Sequence, residues 1–178
     1  EQSAVEIKKI LSNISFFRAT VFYSNGVINN SSHFIDLVNY WFGKPKNVFL
    51  KKNNGIVKKT YDDYDLDFEL RYDNGDVNFF SWKEKFYSNY SIRIYTDLFK
   101  IDYDINGYNT TINNKIDDPE YKDFKRLNDV SISIKNNFNE GFRPVYSKIF
   151  STLGSRTQTD FKKIEIIPDI IDQLIKQI

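Results

Sequence analysis

From Tyr64 to Tyr72 the sequence alternates without a break. Tyr64, Leu66, Phe68, Leu70 and Tyr72 share one parity; Asp65, Asp67, Glu69 and Arg71 share the other. Successive side chains of a strand point to opposite faces, so the run reads as a half-buried antiparallel strand. Asp73-Asn74-Gly75 follows with the residue types of a tight hairpin turn, and Val77–Trp82 is the return strand. Ser15–Ser24, Asn47–Lys52, Tyr90–Thr96, Leu98–Asp104 and Tyr108–Asn113 read as further strands. Asn25-Gly26, Asn53-Asn54-Gly55 and Asn106-Gly107 separate them as turns. The order from 46 to 113 predicts a meander. After the break at Asp117-Asp118-Pro119, residues 120–135 fit a loop or a strand equally well.

Helical periodicity occupies the two ends. Glu1 to Asn13 carries Val5, Ile7, Ile10 and Leu11 at mostly helical spacing. Asn139 to Leu153 reads as a helix closed by Gly154. Thr159 to Ile178 carries a continuous isoleucine and leucine stripe, which Pro168 should kink or divide. The fold class is therefore α+β: an open, mainly antiparallel sheet with helices packed on one face. Phe79, Phe80 and Trp82 put apolar side chains on both parities of one strand, which predicts two buried faces and a partner against the second.

The 178 residues are 40% hydrophobic and 17% aromatic, enough for one substantial core and one domain over residues 1–178. Twenty-five basic against 24 acidic residues leave +1, a balance that points to neither nucleic acid nor an anionic membrane. No run approaches the ~20 apolar residues of a membrane span, and no signal peptide is visible. With no cysteine there is no disulfide and no thiolate chemistry, which is compatible with a cytoplasmic location. The absence of methionine reads as a piece of a longer protein or omitted modified methionines. No metal-ligand cluster, G-x-G-x-x-G or P-loop is present, so no residue of this chain is a candidate for holding a cofactor. Asp62-Asp63 and Asp117-Asp118 sit in turn-like segments and read as solvated loop carboxylates.

The chemistry-bearing stretch is Tyr23 to Pro45, YSNGVINNSSHFIDLVNYWFGKP, which holds the only histidine, His33. Ser31 is the N-cap candidate of a helix whose Phe34, Leu37, Val38 and Trp41 share one face. Gly43 and Pro45 end it. His33 falls in the first turn, with Asp36 and Tyr40 as neighbours. A histidine so placed is either a satisfied surface or core residue, or an acid/base working near neutral pH beside a carboxylate and several amides.

G-V-I-N-N-S-S-H-F-I-D-L followed by W-F-G-K-P resembles the G-G-x-x-x-D/N-x-x-x-H-x-I-D-L…L-G-x-P segment of the Gfo/Idh/MocA oxidoreductases. The helix–strand pair before it, the antiparallel strands and the C-terminal helix after it extend the resemblance to nearly the whole chain. The family resemblance implies the C-terminal, substrate-binding and oligomerisation domain of an NAD(P)-dependent oxidoreductase. Its substrate would be a sugar or sugar nucleotide. It further implies an N-terminal dinucleotide-binding (Rossmann) domain before residue 1, which would hold NAD or NADP and supply the lysine of an E-K-P motif. A homodimer or homotetramer through the open sheet face is implied as well. By the same resemblance His33 is the acid/base. Asn29 stands where many relatives have Asp; it cannot exchange a proton, which points to a hydrogen-bonding role on substrate. Tyr23, Asn25 and Asn30 are candidate substrate contacts by proximity. A non-catalytic assembly module and a carbohydrate-binding module remain the rival readings; a dinucleotide fingerprint upstream would favour the enzyme over both.

Overall fold

The computed structural model describes residues 2–58, 62–104, 109–135 and 166–178. Helix α1 (Gln2–Leu11) leads into strand β1 (Phe17–Ser24), a π-helical turn (Val27–Ser31) and helix α2 (Ser32–Phe42). Strands β2 (Asn47–Lys58), β3 (Asp63–Arg71), β4 (Gly75–Trp82), β5 (Ser91–Thr96), β6 (Phe99–Asp104) and β7 (Asn109–Asp117) follow. Two short strands, β8 (Lys125–Leu127) and β9 (Ile132–Lys135), resolve the ambiguous segment, and α3 (Ile166–Ile175) closes the described chain. The helix expected over 139–153, Gly154, and the start of the last helix over 159–165 lie outside the described residues. Pro168 is the third residue of the described part of α3; the residue four before it, whose carbonyl a backbone N–H at 168 would meet in a helix, lies outside the described residues.

The nine strands among the described residues form one sheet in the order β2-β3-β4-β1-β5-β6-β7-β8, with β9 also on β7. The fold class is the expected one; the meander is not. β1 is inserted between β4 and β5, parallel to β4 and antiparallel to β5. Gly75 makes this possible. It has no positive φ, so the hairpin does not require glycine for its conformation. A Cβ there would lie 2.3 Å from the Phe17 carbonyl oxygen, so the close approach of β1 does require it. Asn53-Asn54-Gly55 is also not a turn. β2 runs through it as an irregularity against β3, and the Asn54 amide donates to Asp67 (2.9 Å) and Ser81 (2.8 Å) on the neighbouring strands.

One face of the sheet carries the core. Phe17, Ala19, Val21 and Tyr23 of β1 and Leu66, Phe68 and Leu70 of β3 are buried there. They meet Ile7 and Leu11 of α1, Phe34, Ile35, Val38 and Trp41 of α2, and Ile170 and Leu174 of α3. The helical stripes thus bury against the apolar parity of the strands. The opposite face is polar, with ion pairs Arg18–Asp76 (3.1 Å), Lys51–Glu69 (2.7 Å) and Arg93–Asp102. Phe79 is fully buried while Phe80, its neighbour on the other face, is 39% exposed and packs 5.7 Å from Phe22. Among the described residues, then, nothing covers the second face of β4, and the two buried faces expected for it are not both formed. Among the described residues no helix is long and apolar enough to cross a membrane.

Candidate functional site

The polar loop before His33 is not a loop ending in a serine cap. It is a π-helical turn that continues into α2, with Asn30 N–H and Ser31 N–H both donating to the Gly26 carbonyl (3.1 and 3.2 Å). Ser31 has helical φ/ψ and its hydroxyl, buried, makes no cap. The cap comes from β3. Asp63 Oδ1 accepts from Ile28 N–H (2.9 Å) and Tyr64 N–H (2.9 Å), and its Oδ2 accepts from Asn29 N–H (3.0 Å). Asp65 Oδ1 accepts from Gly26 N–H at 3.1 Å. Asp63 is 0% exposed, so the reading of Asp62-Asp63 as two solvated loop carboxylates fails for Asp63. A helix start needs acceptors for its first N–H groups, and a buried start needs them from the protein. Gly26 (φ 91°) is obligatory beneath this cap, since a Cβ would lie 2.1 Å from Asp63 Oδ2.

With its start fixed this way, α2 presents His33 one turn further along than the sequence suggests. Gly43 (φ 83°) and Pro45 end the helix as expected. Trp41 anchors it, its indole N–H donating to the Ala4 carbonyl of α1 at 3.0 Å. His33, exposed, opens onto a cleft of about 670 Å³ between α1 and α2. Asn30 of the π-helical turn shares its wall with Asp36 and Tyr40 of α2, Ala4 and Val5 come from α1, and Tyr90 and Tyr103 come from the loop before β5 and from β6. The Tyr90 ring stacks on Phe34 (centroids 6.1 Å, 14°). Its hydroxyl accepts from Asn30 Nδ2 at 2.9 Å, and the same amide donates to the Ser24 carbonyl at 2.9 Å. Burial, with the Glu84 carboxylate nearby, raises the Tyr90 hydroxyl above the ordinary tyrosine value. It therefore stays protonated at neutral pH, a hydrogen-bond donor.

The predicted site residues divide. His33 and Asn30 line the cleft together. Asn29 does not line it; its amide reaches Asn30 Oδ1 at 3.4 Å and its N–H is on Asp63. Asn25, with φ 68°, turns the chain ahead of the π-helical turn and is also outside the cleft. Tyr23 is a correction. Its ring is 0% exposed, and its hydroxyl donates to the Leu66 carbonyl (2.6 Å) and accepts from Leu66 N–H (2.9 Å). It bridges β1 to β3 inside the core and cannot meet a substrate; burial raises its hydroxyl far above the usual tyrosine range. Strand parity could have shown this, since Tyr23 shares the parity of Phe17, Ala19 and Val21. Tyr90 and Tyr103, by contrast, carry no local signal; only the tertiary fold brings them to Asn30.

Asp65 is raised above the ordinary aspartate value, first by burial and then by its neighbours Asp63 and Asp67, against the Gly26 hydrogen bond. A carboxyl raised on folding holds its proton more tightly in the folded state. Its contribution to stability is complete below the unfolded value near 3.8 and is lost as pH rises through the folded value. Asp65→Asn keeps an acceptor for Gly26 and removes the crowded charge. The variant should be more stable than the parent in urea at pH 7, with the difference vanishing below pH ~3.8.

No protein-family model matches the sequence, and no curated protein matches it. Solved structures do. A dehydrogenase, MviM, from Clostridium difficile superimposes with TM-score 0.64 at 9% identity, over 99% of this chain and 60% of that one. Levoglucosan dehydrogenase, solved with NADH and L-sorbose, gives 0.58 at 13% identity, over 96% and 60%. The UDP-N-acetylglucosamine 3-dehydrogenase GnnA from Acidithiobacillus ferrooxidans gives 0.57 at 12%, over 90% and 52%. The fold is shared with the Gfo/Idh/MocA oxidoreductases. The resemblance noted around His33 is thus borne out at the level of fold, and the present chain spans little more than half the length of these enzymes.

Proposed function

We propose that this chain is the substrate-binding part of an NAD(P)-dependent oxidoreductase acting on a hydroxyl or carbonyl of a sugar or sugar derivative. The observation that carries the proposal is the cleft itself: the only histidine stands exposed beside Asn30, Asp36 and two tyrosines. This is a set of hydroxyl-binding groups around one acid/base, on a fold shared with sugar dehydrogenases. His33 takes the proton of the reacting hydroxyl, or returns it to a carbonyl. Asn30 and the protonated Tyr90 orient the polyol, and Asn29 holds Asn30.

The start of α2 is not a pyrophosphate cradle. The helix N-terminus that would receive a pyrophosphate is filled by the Asp63 carboxylate, and no glycine-rich loop precedes it. The nicotinamide cofactor therefore belongs, in this reading, to a preceding dinucleotide-binding domain. The test is polyol-dependent turnover of NAD(H) or NADP(H) by the chain joined to that domain. Its absence across a broad panel of sugars would return the chain to an assembly module.

The open sheet face is the proposed contact with a second copy, its ion-pair rows meeting their counterparts around Phe22 and Phe80. Sedimentation of the chain at micromolar concentration should give a dimer or tetramer. A monomer would remove oligomerisation from the proposal.

A further inference from the structure

The electrostatics of the His33 cleft bear on which sugars it can take. Among the described residues that line it there is no lysine or arginine, and the one acidic side chain is Asp36. Asp36 is exposed and makes no hydrogen bond or ion pair with any described residue. The donors that most often hold a phosphate or carboxylate at such a place are the free N–H groups of a helix start. Here those of Ile28 and Asn29 are on Asp63, and that of Gly26 is on Asp65. Both amide hydrogens of Asn30 are committed, one to the Ser24 carbonyl and one to Tyr90. Lys8, on the same helix as Ala4 and Val5, does not line the cleft; its ammonium is held on Tyr40, 2.6 Å from the carbonyl and 4.1 Å from the ring centroid. Glu84 adds a second carboxylate on the Tyr90 side, close enough to act on the tyrosine hydroxyl.

We infer that the ligand entering this cleft carries no anionic group where it meets the chain. The cleft takes an uncharged polyol, and an amino-substituted one better, because an ammonium meets Asp36 whereas a phosphate or carboxylate meets it with no counter-charge among the described lining side chains. Phosphorylated sugars, uronates and the pyrophosphate of a sugar nucleotide are disfavoured at this surface. The inference rests on the sugar-cleft reading above and goes beyond it in substrate class.

His33 is the only histidine, so its ring C–H signals in proton NMR report on the cleft alone. The 178-residue chain is titrated at fixed pH and ionic strength with glucosamine, glucose, glucose 6-phosphate and glucuronate. Glucosamine is expected to shift these signals at the lowest concentration, glucose next, and the two anions at least tenfold higher than glucosamine. In Asp36→Asn the advantage of glucosamine over glucose should disappear. If glucose 6-phosphate or glucuronate binds as well as glucose, or if Asp36→Asn keeps the amine preference, the inference is overturned while the sugar-cleft reading stands. If none of the four sugars moves the His33 signals, both fall together.

Discussion

Asp63→Ala should cost the chain about 3–5 kcal/mol of stability, a large share of the roughly 5–15 kcal/mol typical of a domain. The Asp63 carboxylate is buried and accepts three backbone N–H groups, those of Ile28, Asn29 and Tyr64. Hydrogen bonds to a charged group are worth roughly 1.5–3 kcal/mol each, and the cost of leaving their buried donors unpaired comes on top. The sum is less than additive, because the π-helical turn can open and let water reach Ile28 and Asn29. Asp63→Asn should recover part of the loss, since one acceptor oxygen remains. Urea midpoints of the three proteins give the energies, and amide exchange at Ile28 and Asn29 locates them. A loss below about 1 kcal/mol with unchanged protection at those two amides would mean that the turn does not depend on this carboxylate.

That carboxylate also marks the boundary of what the sequence made legible. The alternation from Tyr64 to Tyr72 and the stripe of α2 are local periodicities and fold largely as read, because burial of one face enforces them. Ile35, however, is fully buried where Leu37 is half-buried in the cleft wall, and Glu69 is buried on the polar parity. Asp63 is different. Beside Asp62 in a polar segment it has the composition of a loop, and its role depends on Gly26 lying against it from 37 residues away in sequence. The same holds for the place of β1. Strand propensity identified Phe17–Ser24, but nothing local says that it lies parallel to β4; the glycine that admits it, Gly75, reads equally well as a turn residue. Asn53-Asn54-Gly55 carries the residues of a turn and serves as a bulge, since β3 continues beside it as a partner. In the candidate site, His33 and Asn30 were legible because one helical run carries both. Tyr90 was not, because its hydrogen bond to Asn30 spans 60 residues.

His33→Ala should lower turnover of the complete oxidoreductase by about 10²–10⁴-fold while leaving the fold intact. The side chain is exposed, makes no described hydrogen bond and contributes nothing to the core, so its removal opens no cavity. The residues that aim it remain. Phe34, Ile35, Val38 and Trp41 fix the helix against the sheet, and Asp63 fixes its start. What disappears is the one side chain of the cleft whose ordinary pKa suits proton exchange with a substrate hydroxyl near neutral pH. Asn29→Ala should behave differently. Its amide meets Asn30 rather than the cleft, so its loss loosens a group that binds substrate in the ground state as well as in the transition state. The expected signature is a higher KM with kcat largely retained, against a lower kcat with KM nearly unchanged for His33→Ala. Circular dichroism and urea midpoints matched to the parent separate chemistry from folding. Near-parental turnover in a folded His33→Ala protein would remove the acid/base from this residue, and Asp36, facing the same cleft, would become the group to test in its place.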